Sequence, residues 1–325
     1  MLQRQILRRL RHALSVGALA LSSAVLAQST ATQPITLIIP YPPGGSADML
    51  ARPMLPDLQK VLGQTIVLDY KGGAGGTIAT SALARAKPDG QTIILILTAH
   101  AINDALYPKL PYDTRKDFAP VSLVATLPLL VAAPLSSPFN TIPELIAYAK
   151  ANPDKLSYAS AGNGNTSHLA VELFKTQTGT KMVHIPYKGS GPAVIAMLGN
   201  EVSFMFDSIS TSFQQVKAGK LKAIAVSSLT RAEILPNTPT IADTLPGFDV
   251  TVWYGILAPA GTPVAIVDKL SQAFATVASD KKIKAQLAES GYATLGTTPA
   301  AFGKHIDAEL TKWSKAVKDS GATIQ

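Results

Sequence analysis

Short apolar runs alternate with helix-like segments along most of this chain, and they do so in two separate series. The first reads "ITLIIPY", "ADMLARPMLPDLQKVLG", "TIVLDY", "GGTIATSALARAKPDG" and "TIILILT". Strand-length runs separated by amphipathic stretches predict a sheet of parallel strands with helices on its faces. The second series, "LLVAAP", "TIPELIAYAKANP", "LSYASAG", "TSHLAVELFKTQTG", "MVHIPYKG", "GPAVIAMLGN", "VSFMFDS" and "LKAIAVSS", predicts the same again. The tail, "YGILAPAGTPVAIVDKLSQAFATVASDKKIKAQLAESG", reads as one strand and two helices, with Pro263 near the first helix's start and Gly291 past the second one's end. A single strand makes no sheet of its own. The tail is therefore expected to return to the first series, giving two α/β lobes joined by crossings near residues 125–133 and 251–257.

With 325 residues, 47% hydrophobic and 15% charged, the chain can bury an ordinary core, and its length favours about two domains. Residues 1–27 read as a secretory signal peptide: Arg4, Arg8, Arg9 and Arg11 precede an uncharged run from Ala13 to Leu26, closed by Ala27. A transmembrane anchor needs about 20 apolar residues, and this run is shorter. The segment carries four arginines and no acid, so its removal takes the formal net charge from +8 to +4. No Lys/Arg block with interleaved aromatics is present, which argues against nucleic acid and leaves attraction of small anions open. The absence of cysteine excludes disulfides, Cys-zinc sites and thiol catalysis, and suits a bacterial periplasm. Five histidines without ligand spacing predict neither a metal nor an organic cofactor.

In open α/β sheets ligands bind beyond the carboxyl ends of strands. In "IIPYPPGGSADMLARPML" a strand runs into Gly44 and Gly45, both expected to allow positive φ, with Ser46 as N-cap and free amides around Ala47 to Met49. A carboxylate there accepts N–H bonds and meets the positive end of the helix dipole. "YASAGNGNTSHLAVELF" repeats the arrangement in the second series with Ser160, Gly162, Gly164, Asn165, Thr166 and His168. Several of these residues carry two readings. His168 either meets the ligand or serves local packing; Asp207 in "FMFDS", like Asp48, either touches ligand or caps a helix; Lys188 either adds charge to the cleft or is merely solvated. No G-x-S-x-G or H-E-x-x-H motif occurs. A Ser46 or Ser160 triad with His168 and Asp207 is demanded by no spacing, and a periplasmic hydrolase of small esters or amides is the second reading.

The chain resembles the substrate-binding receptors of tripartite tricarboxylate transporters, the Bug-type periplasmic proteins, through in-order matches that include "PITLIIPYPPGGSADMLAR", "GAGGTIAT", "KPDGQTIILI", "HIPYKGSGPAVIAMLGNEVSFMFD" and "WYGILAPAGTP". The resemblance implies a two-lobed venus-flytrap fold, type II-like, with a mixed and mostly parallel sheet in each lobe. The lobes are expected at 28–128 and 129–251, with 252–325 returning to the first. It places Tyr41, Gly45, Ser46, Ala47 and Asp48 on one ligand loop, Ser160, Gly164, Asn165, Thr166 and His168 on the other, and Lys188 and Asp207 at the cleft wall. It implies a non-enzymatic, monomeric periplasmic receptor for a small carboxylate, such as a di- or tricarboxylate, an acidic amino acid or an aromatic acid. Its partners would be membrane permease subunits or a sensor protein. The chain departs from the family's usual Asn-Arg-Pro at Asp69-Tyr70-Lys71-Gly72, and Asp104 follows Asn103 where Pro is usual. Contacts from Thr98 and the "AHAIND" loop are accordingly left out of the expected site.

Overall fold

The computed structural model describes residues 33–323. The signal-peptide reading of residues 1–27 lies outside them. The first series folds as β1 (Ile35–Ile39), α1 (Ser46–Leu62), β2 (Ile66–Tyr70), a 3-10 turn at Ala74–Gly76, α2 (Thr77–Ala84), β3 (Thr92–Leu97) and α3 (Ala99–Leu106). A long strand, β4 (Phe118–Pro134), leads to α4 (Ile142–Ala151), β5 (Ser157–Ser160), α5 (Thr166–Thr178) and β6 (Val183–Pro186). The second series ends with α6 (Ser190–Leu198), β7 (Phe204–Ser208), α7 (Ile209–Lys217) and β8 (Leu221–Val226). The return segment holds β9 (Thr251–Pro259), α8 (Val264–Ser279), α9 (Lys281–Ala288), β10 (Ala293–Thr294) and α10 (Pro299–Ser320).

The local chemistry explains the helices that matter most here. Along α1 the positions Ala47, Leu50, Ala51, Met54, Leu58 and Leu62 are buried at helical spacing, and Gly63 ends the helix in the left-handed conformation with φ 68°. Pro53 and Pro56 sit inside it and remove two donors without ending it. Helix α5 starts on an Asn165 cap and buries Leu169, Ala170, Val171 and Phe174 before Gly179 stops it.

The strands form one connected sheet in the order β2-β1-β3-β9-β4-β7-β5-β6, with β8 and β10 attached to β4. Pairing is parallel where β1 meets β2 and β3 and where β5 meets β6 and β7. Every pairing made by β4 or β9 is antiparallel. The 17-residue β4 pairs with β9 from Phe118 to Pro128, then with β7 and β8 from Leu129 onward. One strand thus serves both lobes. Its first eleven residues contain Pro120 and Pro128, which normally argue against a central strand. Register shifts between Pro120 and Ser122 and between Leu123 and Ala125 absorb the irregularity.

Up to Gly291 the return segment holds the expected strand and two helices, β9, α8 and α9; beyond it the chain adds the two-residue β10 and helix α10. Helix α8 packs on β4 and α1, and α10 packs on α3, β4 and α5. Helix α10 buries Phe302, Ile306, Leu310, Trp313 and Val317, a stripe of helical period. Because the parallel strands of each series point the same way, their carboxyl ends, and the helix N-termini that follow, lie along one edge of each lobe. That edge holds the site.

Candidate functional site

Helix α1 begins one residue earlier than the sequence suggested. The Gly45 carbonyl accepts the Met49 amide at 3.0 Å, which makes Gly45 the N-cap and puts Ser46 inside the first turn. Gly44 has φ 80°, but Gly45 is extended at φ −79°, so positive φ is needed at only one of the two glycines. No side chain caps this helix. The amides of Ser46, Ala47 and Asp48 therefore have neither an intrahelical acceptor nor a capping oxygen.

Helix α5 faces it from the other lobe. The Asn165 Oδ1 accepts from the Ser167 amide and hydroxyl, both at 3.0 Å, while its Nδ2 donates to the Tyr41 hydroxyl at 2.8 Å across the lobes. Tyr41 in turn donates to the Gly75 carbonyl at 3.3 Å. The Thr166 side chain is 2% exposed and its hydroxyl has no partner among the described residues. Two more helices end here, α6 behind Gly189 and α7 behind Ser208, again without side-chain caps.

These four N-termini enclose a cavity of about 20 Å³, above the roughly 10–15 Å³ that one water needs. Gly45, Ser46 and Ala47 line it from α1, Asn165 and Thr166 from α5, Ser190 from α6 and Ser208 from the α7 cap. Tyr41, Leu97, Ala161 and Val252 complete the wall, and among the described residues no charged side chain lines it. Each helix start carries a partial positive charge of about half an elementary charge. The cavity is thus electropositive through backbone alone, with hydroxyls at hand: an environment that favours a compact anion.

The remaining predicted residues lie around this cradle rather than in its wall. Asp48 accepts from the Gly44 amide at 2.8 Å, pairs with Arg52 at 2.8 Å and accepts the Tyr70 hydroxyl. Burial alone would raise its pKa, but the bonds from Tyr70, Gly44 and Arg52 prevail and hold it below the usual range. The unusual Tyr70 thus ties down α1, and its own pKa is pushed up to about 12, chiefly by burial and next by Asp48. Asp207 is fully buried at the end of β7, where the Thr211 and Ser212 hydroxyls of α7 donate to it. Ser208, not Asp207, is the N-cap of that helix. Burial raises the Asp207 pKa against those hydroxyls and that of Ser190. Thr98 accepts from the Trp253 amide at 2.9 Å, joining β3 to β9.

Ser160 lies 2.6 Å from His184 Nε2 and accepts from the Gly162 amide at 3.1 Å. His168 Nδ1 accepts from the Gly164 amide at 3.4 Å. The two imidazoles stack 4.0 Å apart at 6°, with Tyr158 4.9 Å beyond His184. Both rings therefore brace the second loop from behind. The triad of Ser46 or Ser160 with His168 and Asp207 is not assembled: Ser160 meets a different histidine, and the Asp207 carboxylate is held by α7. Leu97, Ala161, Ser190, Ser208 and Val252 line the cavity without having been expected there, and Tyr292 supports it from outside the wall. The Gly189-Ser190-Gly191-Pro192 corner after β6 carries a strand-to-helix signal like those of the two loops that were recognised. Tyr292, whose hydroxyl donates to the Ser46 carbonyl at 2.6 Å and lies 3.0 Å from Ser210 Oγ, has no local sequence signal.

The lobes meet through glycines. A β-carbon on Gly75 would lie 2.7 Å from the Asn163 carbonyl oxygen, and one on Gly164 would lie 2.6 Å from Asn103 Oδ1. Asn103 Nδ2 also donates to the Gly75 carbonyl at 2.9 Å. Outside this seam a larger cavity of about 670 Å³ shares Tyr41 and Ala161 with the inner one and is bordered by Lys188.

A mixed-sheet α/β fold of two lobes with an anion-favouring cavity between them defines a solute-binding protein. The profile described as the tripartite tricarboxylate transporter family receptor matches residues 50–322, and the chain belongs to that family. It is similar to the periplasmic binding protein BugD, with 36% identity, a TM-score of 0.86 and coverage of 90% of this chain and 99% of BugD. An R. palustris protein solved with adipate is similar at 34% identity and TM-score 0.88, over 91% of this chain and 100% of that one. MatC from Rhodopseudomonas palustris, solved with bound malate, is similar at 32% identity and TM-score 0.84, over 88% and 99%. Members of the family are substrate-binding receptors, not enzymes. Among the described residues no helix is long and apolar enough to cross a membrane.

Two outcomes are expected. Gly75→Ala or Gly164→Ala should hold the lobes apart, since each new methyl meets the opposite lobe and each site has positive φ, 62° and 77°. Small-angle scattering should then give a larger radius than wild type, and an unchanged radius would place the seam elsewhere. The histidine stack sets a pH dependence. Burial lowers His168 to about 4, and burial followed by His168 lowers His184 to about 3. Folded values below the ordinary 6.5 mean that the unfolded chain binds more protons in this interval. Their contribution is full above about pH 6.5 and is lost as pH falls towards the folded values, while the raised Asp207 acts in the opposite sense. In an NMR titration both imidazoles should stay neutral at pH 5; midpoints near 6.5 would contradict the buried stack.

Proposed function

We propose that this receptor captures a small carboxylate in the inner cavity, between its lobes, in the periplasm. It then delivers the ligand to the membrane components of a tripartite tricarboxylate-type transporter; presentation to a sensor protein would use the same closure with a different reader. Residues 1–27 are assigned to export, 28–128 to the first lobe, 129–251 to the second and 252–325 to the first lobe again. The observation that carries the reading is the convergence of four helix N-termini on one cavity that, among the described residues, no charged side chain lines and where the buried Thr166 hydroxyl has no partner. The adipate and malate in the related structures support the choice of a carboxylate.

The magnitudes require closure as well as donors. Hydrogen bonds to a charged group contribute about 1.5–3 kcal/mol each, so four give roughly 6–12. Association costs an estimated 4–15 kcal/mol, and micromolar binding needs about 8 kcal/mol net. The donors alone do not guarantee that margin. Contacts made as the lobes shut, and the exclusion of water, supply the rest.

Calorimetry with adipate and malate tests the proposal. At least one should bind saturably and be recovered unchanged, and Thr166→Ala and Ser46→Ala should each weaken it by about 1–3 kcal/mol without unfolding the protein. Failure of any small carboxylate to bind, or affinity indifferent to both substitutions, would overturn it.

A further inference from the structure

The inner cavity accounts for one carboxylate head and leaves the body of the ligand to the cavity of about 670 Å³ outside it. That volume lies in the range of ordinary small-molecule sites and exceeds what a four-carbon acid occupies. Its lining is distinctive. Tyr41, Tyr107 and Tyr187 supply aromatic rings, Pro42 and Pro186 supply flat apolar faces, and residues 72–75 and 161–163 add mostly glycine and alanine backbone. Among the described residues Lys188 is the one charged side chain in that lining, and it makes no ion pair.

On the reading that the inner cavity takes a carboxylate, we propose that the preferred ligand class is an aromatic carboxylate with a single acceptor group at the far end of its ring, facing Lys188. A flat ring matches walls made of rings and peptide planes, and offset or edge-on contact with tyrosine adds to the apolar burial. A tricarboxylate would bring two further charges to a lining with one cation among the described residues. An amino acid fares no better, because its ammonium finds no carboxylate in the lining: among the described residues Asp48 and Asp207 lie outside it. The second acidic group, if present, has one place to go, the Lys188 ammonium, as a charge-assisted contact at the solvent side.

The test is calorimetry with terephthalate, benzoate, adipate, citrate and glutamate on wild type, Lys188→Ala and Tyr187→Ala, each checked for an unchanged melting temperature. Terephthalate should bind tightest, with benzoate about tenfold or more weaker for want of the Lys188 contact, and citrate and glutamate weaker again. Lys188→Ala should bring terephthalate down to benzoate's level and leave benzoate unchanged, whereas Tyr187→Ala should weaken both. Adipate, citrate or glutamate binding more tightly than terephthalate would overturn the aromatic class while leaving the carboxylate reading intact. Equal losses of terephthalate and benzoate in Lys188→Ala would remove the lysine's assigned role, and indifference of both to Tyr187→Ala would remove the aromatic wall. Absence of binding by all five acids would overturn this inference and the carboxylate reading together.

Discussion

A carboxylate taken out of water must recover its hydrogen bonds from the protein, and here the replacements are the unpaired amides at helix starts. Among the described residues no side chain caps α1, α6 or α7: Gly45 and Gly189 stand where Ser, Thr, Asp or Asn would ordinarily stabilise a helix by about 0.5–2 kcal/mol, and Ser208 at the start of α7 donates to Ser46 Oγ at 3.3 Å instead. Leaving three ends open in one place is costly for an empty protein and favourable for one that holds an anion. The exception proves informative in its geometry: α5 is capped by Asn165, whose other end reaches across to Tyr41, so the cap doubles as a tie between lobes.

The fold supplies that arrangement by directing strands of the same sense towards one edge. Parallel pairing brings the ends of β1 and of β5 into register with their neighbours, and the helix that follows each strand starts at that edge. The antiparallel strands β4 and β9 do a different job, since they carry the chain between the lobes while belonging to the sheet of both series. Closure then depends on close approach. Gly75 lets the Asn163 carbonyl, and Gly164 the Asn103 side chain, come nearer than a β-carbon would permit, and Asn103 also donates to the Gly75 carbonyl.

Much of this was legible from residues alone. The alternation of runs such as "TIVLDY" and "TIILILT" with amphipathic segments located the strands, and the two glycine-rich corners pointed to α1 and α5. The cap at α1 was misplaced by one residue because Ser46 is the better capping type, whereas the backbone bond from Met49 to Gly45 decides the matter. Helix α10 had a clear stripe from Phe302 to Val317, but a reading that stopped at Gly291 did not reach it. Tyr292 and the Ser160–His184 pair could not be foreseen: each joins residues far apart in sequence, 246 positions for Tyr292 and Ser46, and no local pattern encodes such a meeting. Asp48 and Asp207 each carry a structural and a ligand reading; the Asp48 carboxylate is bonded within the protein, while Asp207 bonds α7 through Oδ2 and leaves Oδ1 without a partner among the described residues.

The central claim is that backbone at converging helix starts, not a side-chain cation, holds the ligand's head. A crystal structure of the protein with a bound carboxylate tests it most directly. One carboxylate group should sit in the inner cavity, with its oxygens about 2.7–3.2 Å from amides of Ser46 or Ala47 and of Thr166. A ligand whose only carboxylate is paired with Lys188, with the inner cavity filled by water, would contradict it.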